Sequence, residues 1–284
     1  MKTLVRKFQS VGELSRHLAQ AKIQEPFREE CESKSEYSCS SYSTTKEMKR
    51  WSGTESYEQA DSLLLYGDRE LQKKIEAAGV SQIRTELKQH RNRRQLCSAV
   101  VGIAPNVPNY VAGAPTNMIT VRQIRVKQPV LTFMYNTSVS GGVSAEQIIK
   151  ATANLVSALL IIEASGIRVN LYVGEVTTKN SHYCCWSVRI KDSGQIIDTL
   201  KMSYPLAHPS MLRRQWFRLM ETTPGVPSAY VGGYGRVVNN ETEAQKALRA
   251  AGINNIDRVL SYGDICRKSA EKIAKELTEN EGAK

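Results

Sequence analysis

Pro129-Val-Leu-Thr-Phe-Met-Tyr135, Asn136-Thr-Ser-Val-Ser-Gly-Gly142, Ser144 to Ala164 and Ile167-Arg-Val-Asn-Leu-Tyr-Val173 form the run that decides the fold. The first segment is short, apolar and aromatic, as a strand buried on both faces must be. A Gly-rich turn follows, and Ser144 is placed to cap a long helix that ends near Gly166. The last segment returns to β-branched and aromatic residues without helical period. Strand, helix and strand in this order predict a βαβ unit with parallel strands.

Working outward, Cys184–Lys191 and Gln195–Lys201 flank Asp192-Ser-Gly194 and predict a hairpin there. Ser210–Met220 predicts a helix, followed by a strand near Val237, a helix at 241–251, a strand near Val259 and an amphipathic helix from Asp264 to Thr278. Upstream, Ser10 opens a short helix on Val11, Leu14 and Leu18, and residues 29–50 read as a solvated, flexible stretch. Ser56 begins a helix that stops at Gly67, Asp68 caps another running to Gly79, and Ser81 begins a third. Cys97–Ile103 reads as a strand. The proline- and asparagine-rich loop 104–118 lacks regular structure but keeps Val107, Tyr110, Val111 and Met118, so it is expected to lie packed on the sheet. The expected architecture is a three-layer α/β sandwich with a mostly parallel central sheet over residues 96–284, preceded by a basic helical region at 1–95.

With 284 residues, 41 % of them hydrophobic and 24 % charged, the chain can bury a core, which excludes disordered and collagen-like classes. No uninterrupted apolar run reaches the length of a bilayer span, and the first residues turn polar too soon for a signal peptide. These readings predict a soluble cytoplasmic protein without a membrane partner. Of the net charge of +11, +7 lies in residues 1–128, and such a localised surplus favours a polyanionic partner, nucleic acid first. The six cysteines form no CxxC pair, which points to free thiols. His182, Cys184 and Cys185 make a weak zinc set, because neighbours on a strand face opposite ways.

The densest cationic stretch holds Arg84, Lys88, Arg91, Arg93 and Arg94 with Glu86 as the one acid, and it would either track a phosphate backbone or form a solvated helix face. A second cluster joins Arg213, Arg214 and Arg218 to Trp216 and Phe217, with Tyr110 as a further candidate for stacking on bases. Their alternative role is packing and capping. No nucleophile and base are paired by spacing, nucleotide-binding glycine fingerprints are missing, and the acids of 129–225 have no paired spacing. The expected protein is therefore not an enzyme, and a small-molecule ligand is not expected.

Asn136, Ser138 and Ser140 follow the first core strand in a pattern that resembles the Asp-x-Ser-x-Ser motif of von Willebrand factor A domains over about residues 128–265. In that family the acid and both hydroxyls help hold a divalent cation completed by a partner's carboxylate. Asparagine here replaces a negative oxygen with a neutral one, which weakens the hold on a hard cation, so no cofactor is expected and Mg²⁺ is the ion such a loop would take. The chain also resembles an uncharacterised group of bacteriophage proteins through Trp51-Ser-Gly-Thr-Glu-Ser-Tyr57, Pro105-Asn-Val-Pro-Asn-Tyr110 and Leu206-Ala-His-Pro-Ser-Met-Leu-Arg-Arg214. In size class and charge it is similar to podophage proteins that bind single-stranded DNA and bring a phage RNA polymerase to middle promoters. This resemblance implies a non-catalytic protein in the infected host cell, bound to single-stranded DNA and to a phage or host protein. The competing expectation is a protein–protein adaptor that docks through the 136–142 loop without nucleic acid.

Overall fold

A computed structural model describes residues 2–32, 42–80, 93–124, 129–139, 143–231, 233–238, 240–250 and 252–279. The predicted βαβ unit is present. β5 (Val130–Asn136) runs parallel to β6 (Arg168–Lys179), and α7 (Ala145–Ala164) connects them. Ser144 accepts from the Gln147 amide while the Gln147 side chain caps Ser144 in return, closing both ends of a capping box. α7 is long and apolar enough to cross a bilayer, but it is the central core helix, with Leu155, Val156, Ala158 and Leu159 fully packed.

The sheet differs from expectation in two places. β7 (His182–Lys191) pairs with β6 in an antiparallel hairpin whose turn is Asn180–Ser181, both at positive φ (48° and 63°). The expected hairpin at 192–194 is instead a local turn in which Gly194 N–H donates to Asp192 Oδ1, and Asp198 then caps α8 (Thr199–Ala207). The turn residues were read in the right place, but their downstream partner is a helix. At the other side, β1 (Lys2–Phe8), which had no predicted element, runs parallel to β7. The order is β1-β7-β6-β5-β9, where β9 is Arg258–Ser261, with β8 (Arg236–Val237) extending alongside the end of β6.

Strand alternation sorts the side chains into two cores. Phe133, Leu171, Cys184 and Trp186 face one core, covered by α7, α8 and several N-terminal helices. Met134, Tyr172, Cys185 and Val259 face a smaller one under α10 (Glu241–Ala250). Cys184 and Cys185 therefore sit on opposite faces, as the period of a strand requires. α1 (Val11–Gln20), capped by Ser10, and α4 (Tyr57–Tyr66) send Leu14, Leu18, Tyr57 and Leu64 into the larger core. The core thus crosses the expected boundary at residue 95, because β1 and these helices complete the sandwich. The stretch expected to be flexible, 29–50, also holds regular structure among its described residues: α2 (Glu25–Glu32) ends in it and α3 (Lys46–Ser52) begins in it, with Met48 buried.

Residues 93–124 are built differently. β2 (Arg93–Ala99), β3 (Ala104–Pro105) and β4 (Met118–Ile124) form a separate antiparallel sheet with the short helix α6 (Val107–Val111) between β3 and β4. None of residues 95–122 is buried. The expectation that this loop wraps the main sheet is therefore corrected.

Candidate functional site

At the carboxyl end of β5, the loop that resembles a metal-binding motif turns inward. Asn136 is fully buried and both ends of its amide are engaged: Nδ2 donates to the Val238 carbonyl at 3.1 Å, and Oδ1 accepts from the Ser138 amide at 3.2 Å. Ser138, also buried, donates from Oγ to Glu175 Oε1 at 3.4 Å. Ser140 lies outside the described residues. Glu175 sits in the core with Oε2 unpartnered among the described residues, and burial pushes its carboxyl up to about 8, which favours the protonated acid at neutral pH. A neutral amide whose oxygen already accepts from a backbone amide, one hydroxyl and a protonated acid do not fit a hard divalent cation. Among the described residues no cluster of three His, Cys, Asp or Glu side chains is placed to hold a metal.

The two sequence stretches singled out as Trp51–Tyr57 and Leu206–Arg214 meet in space. Arg214 is fully buried, donating from Nε to Ser52 Oγ at 3.2 Å and Thr54 Oγ1 at 2.8 Å, and from Nη2 to the Thr54 carbonyl at 2.9 Å. Ser210 Oγ donates to the Ser52 carbonyl at 2.7 Å, and Tyr57 OH donates to Gln215 Oε1 at 3.0 Å. Trp216 is equally buried, its Nε1 donating to Thr137 Oγ1 at 2.9 Å. Arg218 is buried too, with Nη2 on the Ala21 carbonyl at 2.8 Å and its guanidinium 3.7 Å from the Tyr42 ring centre. Arg214, Trp216 and Arg218 therefore cannot contact phosphates or bases at the surface. They are internal fasteners that read as ligands in the sequence because a basic, aromatic cluster on one helix looks the same whether it faces solvent or a polar loop.

Arg213 alone of that cluster opens to solvent. It lines a cleft of about 430 Å³ between Trp51–Gly53, α5 (Arg69–Ile75), the carboxyl end of β5, the first turns of α7 and Pro205–Arg213. Tyr135, Val139, Val143, Ile148, Ile149 and Leu212 supply an apolar floor. The Arg213 guanidinium covers the Trp51 ring at 4.6 Å, donates to the Trp51 carbonyl, and is held below its ordinary pKa by burial. His208 stacks on Tyr204, and burial brings it down to about 4, so the ring is neutral. Because its Nδ1 accepts from the Ser210 amide at 3.1 Å, the ring hydrogen sits on Nε2. This is where α/β sheets place ligands, outside the carboxyl ends of the strands, and it was missed because its walls come from four separated segments.

The remaining candidates fall on or beside the small sheet. Arg84, Lys88 and Arg91 lie outside the described residues; Arg93 and Arg94 begin β2, paired in register with Ile124 and Gln123. Tyr110, on α6, is 70 % exposed. On the same small sheet and helix Leu96, Val100, Val101, Ile103, Val107 and Val111 are also exposed, Val101 at 81 % and Ile103 at 75 %. Polar bonds hold the arm instead of a core: Asn106 and Asn109 both donate to Ser98 Oγ at 3.1 Å, and Asn109 also donates to the Thr116 carbonyl at 2.9 Å. The asparagines read as loop formers thus order this segment.

Fold and site together define a mixed α/β protein with an apolar β-arm and a cleft at the carboxyl end of β5. Residues 1–282 match the family model described as Domain of unknown function (DUF7192), and the chain belongs to that family. No curated protein and no solved structure matches it.

Proposed function

We propose that this chain is a non-catalytic adaptor that grips another protein with the arm at 93–124. The observation that carries this reading is that the arm displays seven exposed large apolar side chains between Leu96 and Val111 and buries none of its residues 95–122. A small sheet gains stability by burying an apolar face, and clustered exposed apolar side chains on one short segment favour an interaction site. The partner would be a phage or host protein, an RNA polymerase among the candidates, that offers a complementary apolar surface. The docking element moves from 136–142 to the arm, since Asn136 and Ser138 are buried.

A photo-crosslinking residue at position 101, compared with one at Ile196 on the body, tests this. The adaptor reading expects one adduct with a single different protein from position 101 only, and loss of binding to that purified partner in Val101→Lys/Ile103→Lys. Equal adducts at both positions, or adducts with the chain itself alone, would overturn it. A second reading keeps nucleic acid as partner, supported by Arg93 and Arg94 entering β2 from the cationic stretch and by the exposure of Tyr110. It expects anisotropy of a labelled single-stranded oligonucleotide to rise on binding, with affinity falling steeply as salt increases.

A further inference from the structure

We propose that the cleft at the carboxyl end of β5 binds a small soluble amphipathic anion, an aromatic or aliphatic body carrying a carboxylate. The proposal is independent of what the arm binds. Its first support is shape: about 430 Å³ lined by Tyr135, Val139, Val143, Ile148, Ile149 and Leu212 can enclose an apolar body of ten or so carbons. Its second support is the charge around that floor. Arg50, Lys74 and Arg213 border the cleft, and none of them forms an ion pair among the described residues. Two acids border the cleft as well: Asp68, whose Oδ1 accepts from the Glu70 and Leu71 amides at 3.0 Å, lies near enough to His208 to act on its charge, and Glu70 pairs with Lys73 at 2.8 Å, so three cations face two carboxylates.

The third support is the polar chemistry the walls offer. Arg213 is partly desolvated, flattened on Trp51, and uses one N–H on the Trp51 carbonyl, leaving its other donors to the cleft. His208 has its acceptor nitrogen occupied by the Ser210 amide, so it presents an N–H donor beside Gly53, where an added Cβ would lie 3.6 Å from Nε2. The remaining Arg213 N–H groups and the His208 Nε2–H thus have no acceptor in the hydrogen bonds of the described residues. A carboxylate accepts from both a guanidinium and an imidazole N–H, and an apolar body on the same molecule would fill the floor.

The test uses the full chain and three naphthalene probes in calorimetry: naphthalene-2-carboxylate, 2-naphthol and 2-naphthylmethylammonium. The carboxylate is expected to bind one to one, with the ammonium at least tenfold weaker and the alcohol in between. Arg213→Gln should weaken the carboxylate about tenfold while leaving 2-naphthol unchanged. Ala145→Trp, at an exposed position of the first helical turn bordering the cleft, should remove binding of all three without lowering the melting temperature. Val101→Lys/Ile103→Lys should change none of these values, which separates the cleft from the arm. No binding of the carboxylate, equal affinity for the ammonium, or binding that survives Ala145→Trp would each overturn the proposal.

Discussion

The arm at 93–124 and the joint between Trp51–Tyr57 and Leu206–Gln215 divide polar and apolar groups in opposite ways. In the joint a guanidinium, hydroxyls and backbone carbonyls are buried and bonded to one another, as with Arg214 on Ser52 and Thr54, while Gln215 Nε2 has no partner among the described residues. In the arm large apolar side chains lie in water and asparagines do the holding. A buried polar network is costly to break, because every member left alone keeps its desolvation penalty. An exposed apolar surface has no such internal obligation, and under the adaptor proposal it meets a surface outside the chain. One region fastens the molecule, and the other leaves its apolar side chains exposed.

The comparison breaks most readily at Arg214. Arg214→Met strands the Ser52 and Thr54 groups, and urea unfolding should show a loss of about 3 kcal/mol. Gly67→Ala comes next: a Cβ there would lie 2.4 Å from the Leu200 carbonyl oxygen at a φ of +84°, with an expected cost of about 2 kcal/mol by the same measurement. Its counterpart in the arm is Gly102→Ala, where the Cβ would meet the Ile119 carbonyl oxygen at 2.1 Å. That change should accelerate hydrogen exchange of the Ile103 amide, which donates to the same carbonyl, and shift global unfolding by less than ~0.5 kcal/mol. A large global loss from Gly102→Ala would show that the arm is part of the body's cooperative unit.

Stability against pH sharpens the contrast from inside the body. Glu175 titrates near 8 in the folded chain against an ordinary 4.5, so the folded state keeps a proton that the unfolded state releases. Its contribution is complete below pH 4.5 and is lost as pH rises through 8. His208, near 4 against an ordinary 6.5, contributes fully above pH 6.5 and loses that contribution as pH falls through 4. Glu175→Gln should therefore flatten the alkaline decline, gaining about 1 kcal/mol over the parent at pH 9 in parallel denaturant titrations. Arm variants such as Val101→Lys should leave the whole profile unchanged.

Elements whose signal is local were legible in the sequence. Ser144 with Gln147, Asp68, Ser56 before Gly67 and the apolar runs at 130–136 and 168–173 carry their caps and periods within a few residues. β1 was not legible, since Lys2–Phe8 sets Leu4-Val5 and Arg6-Lys7 as adjacent pairs without a period of two and becomes a strand by pairing with β7. The basic and aromatic helix at 211–222 was legible as a cluster and illegible as to side. Arg213 and Arg214 are adjacent, yet a helix turns neighbouring positions to different faces, and only the docking of Ser52–Thr54 determines which one is buried.

The sequence by itself determined the α/β class and the central βαβ unit, because periodicity and capping act over one or two turns of chain. Tertiary structure alone decided that the Asn136 loop turns inward, that Arg214, Trp216 and Arg218 are interior, that Arg213 borders a cleft and that the arm stands clear of both cores. Burial is a property of what packs against a residue, and here the packing partners are separated by as many as 197 positions, as for Ala21 and Arg218.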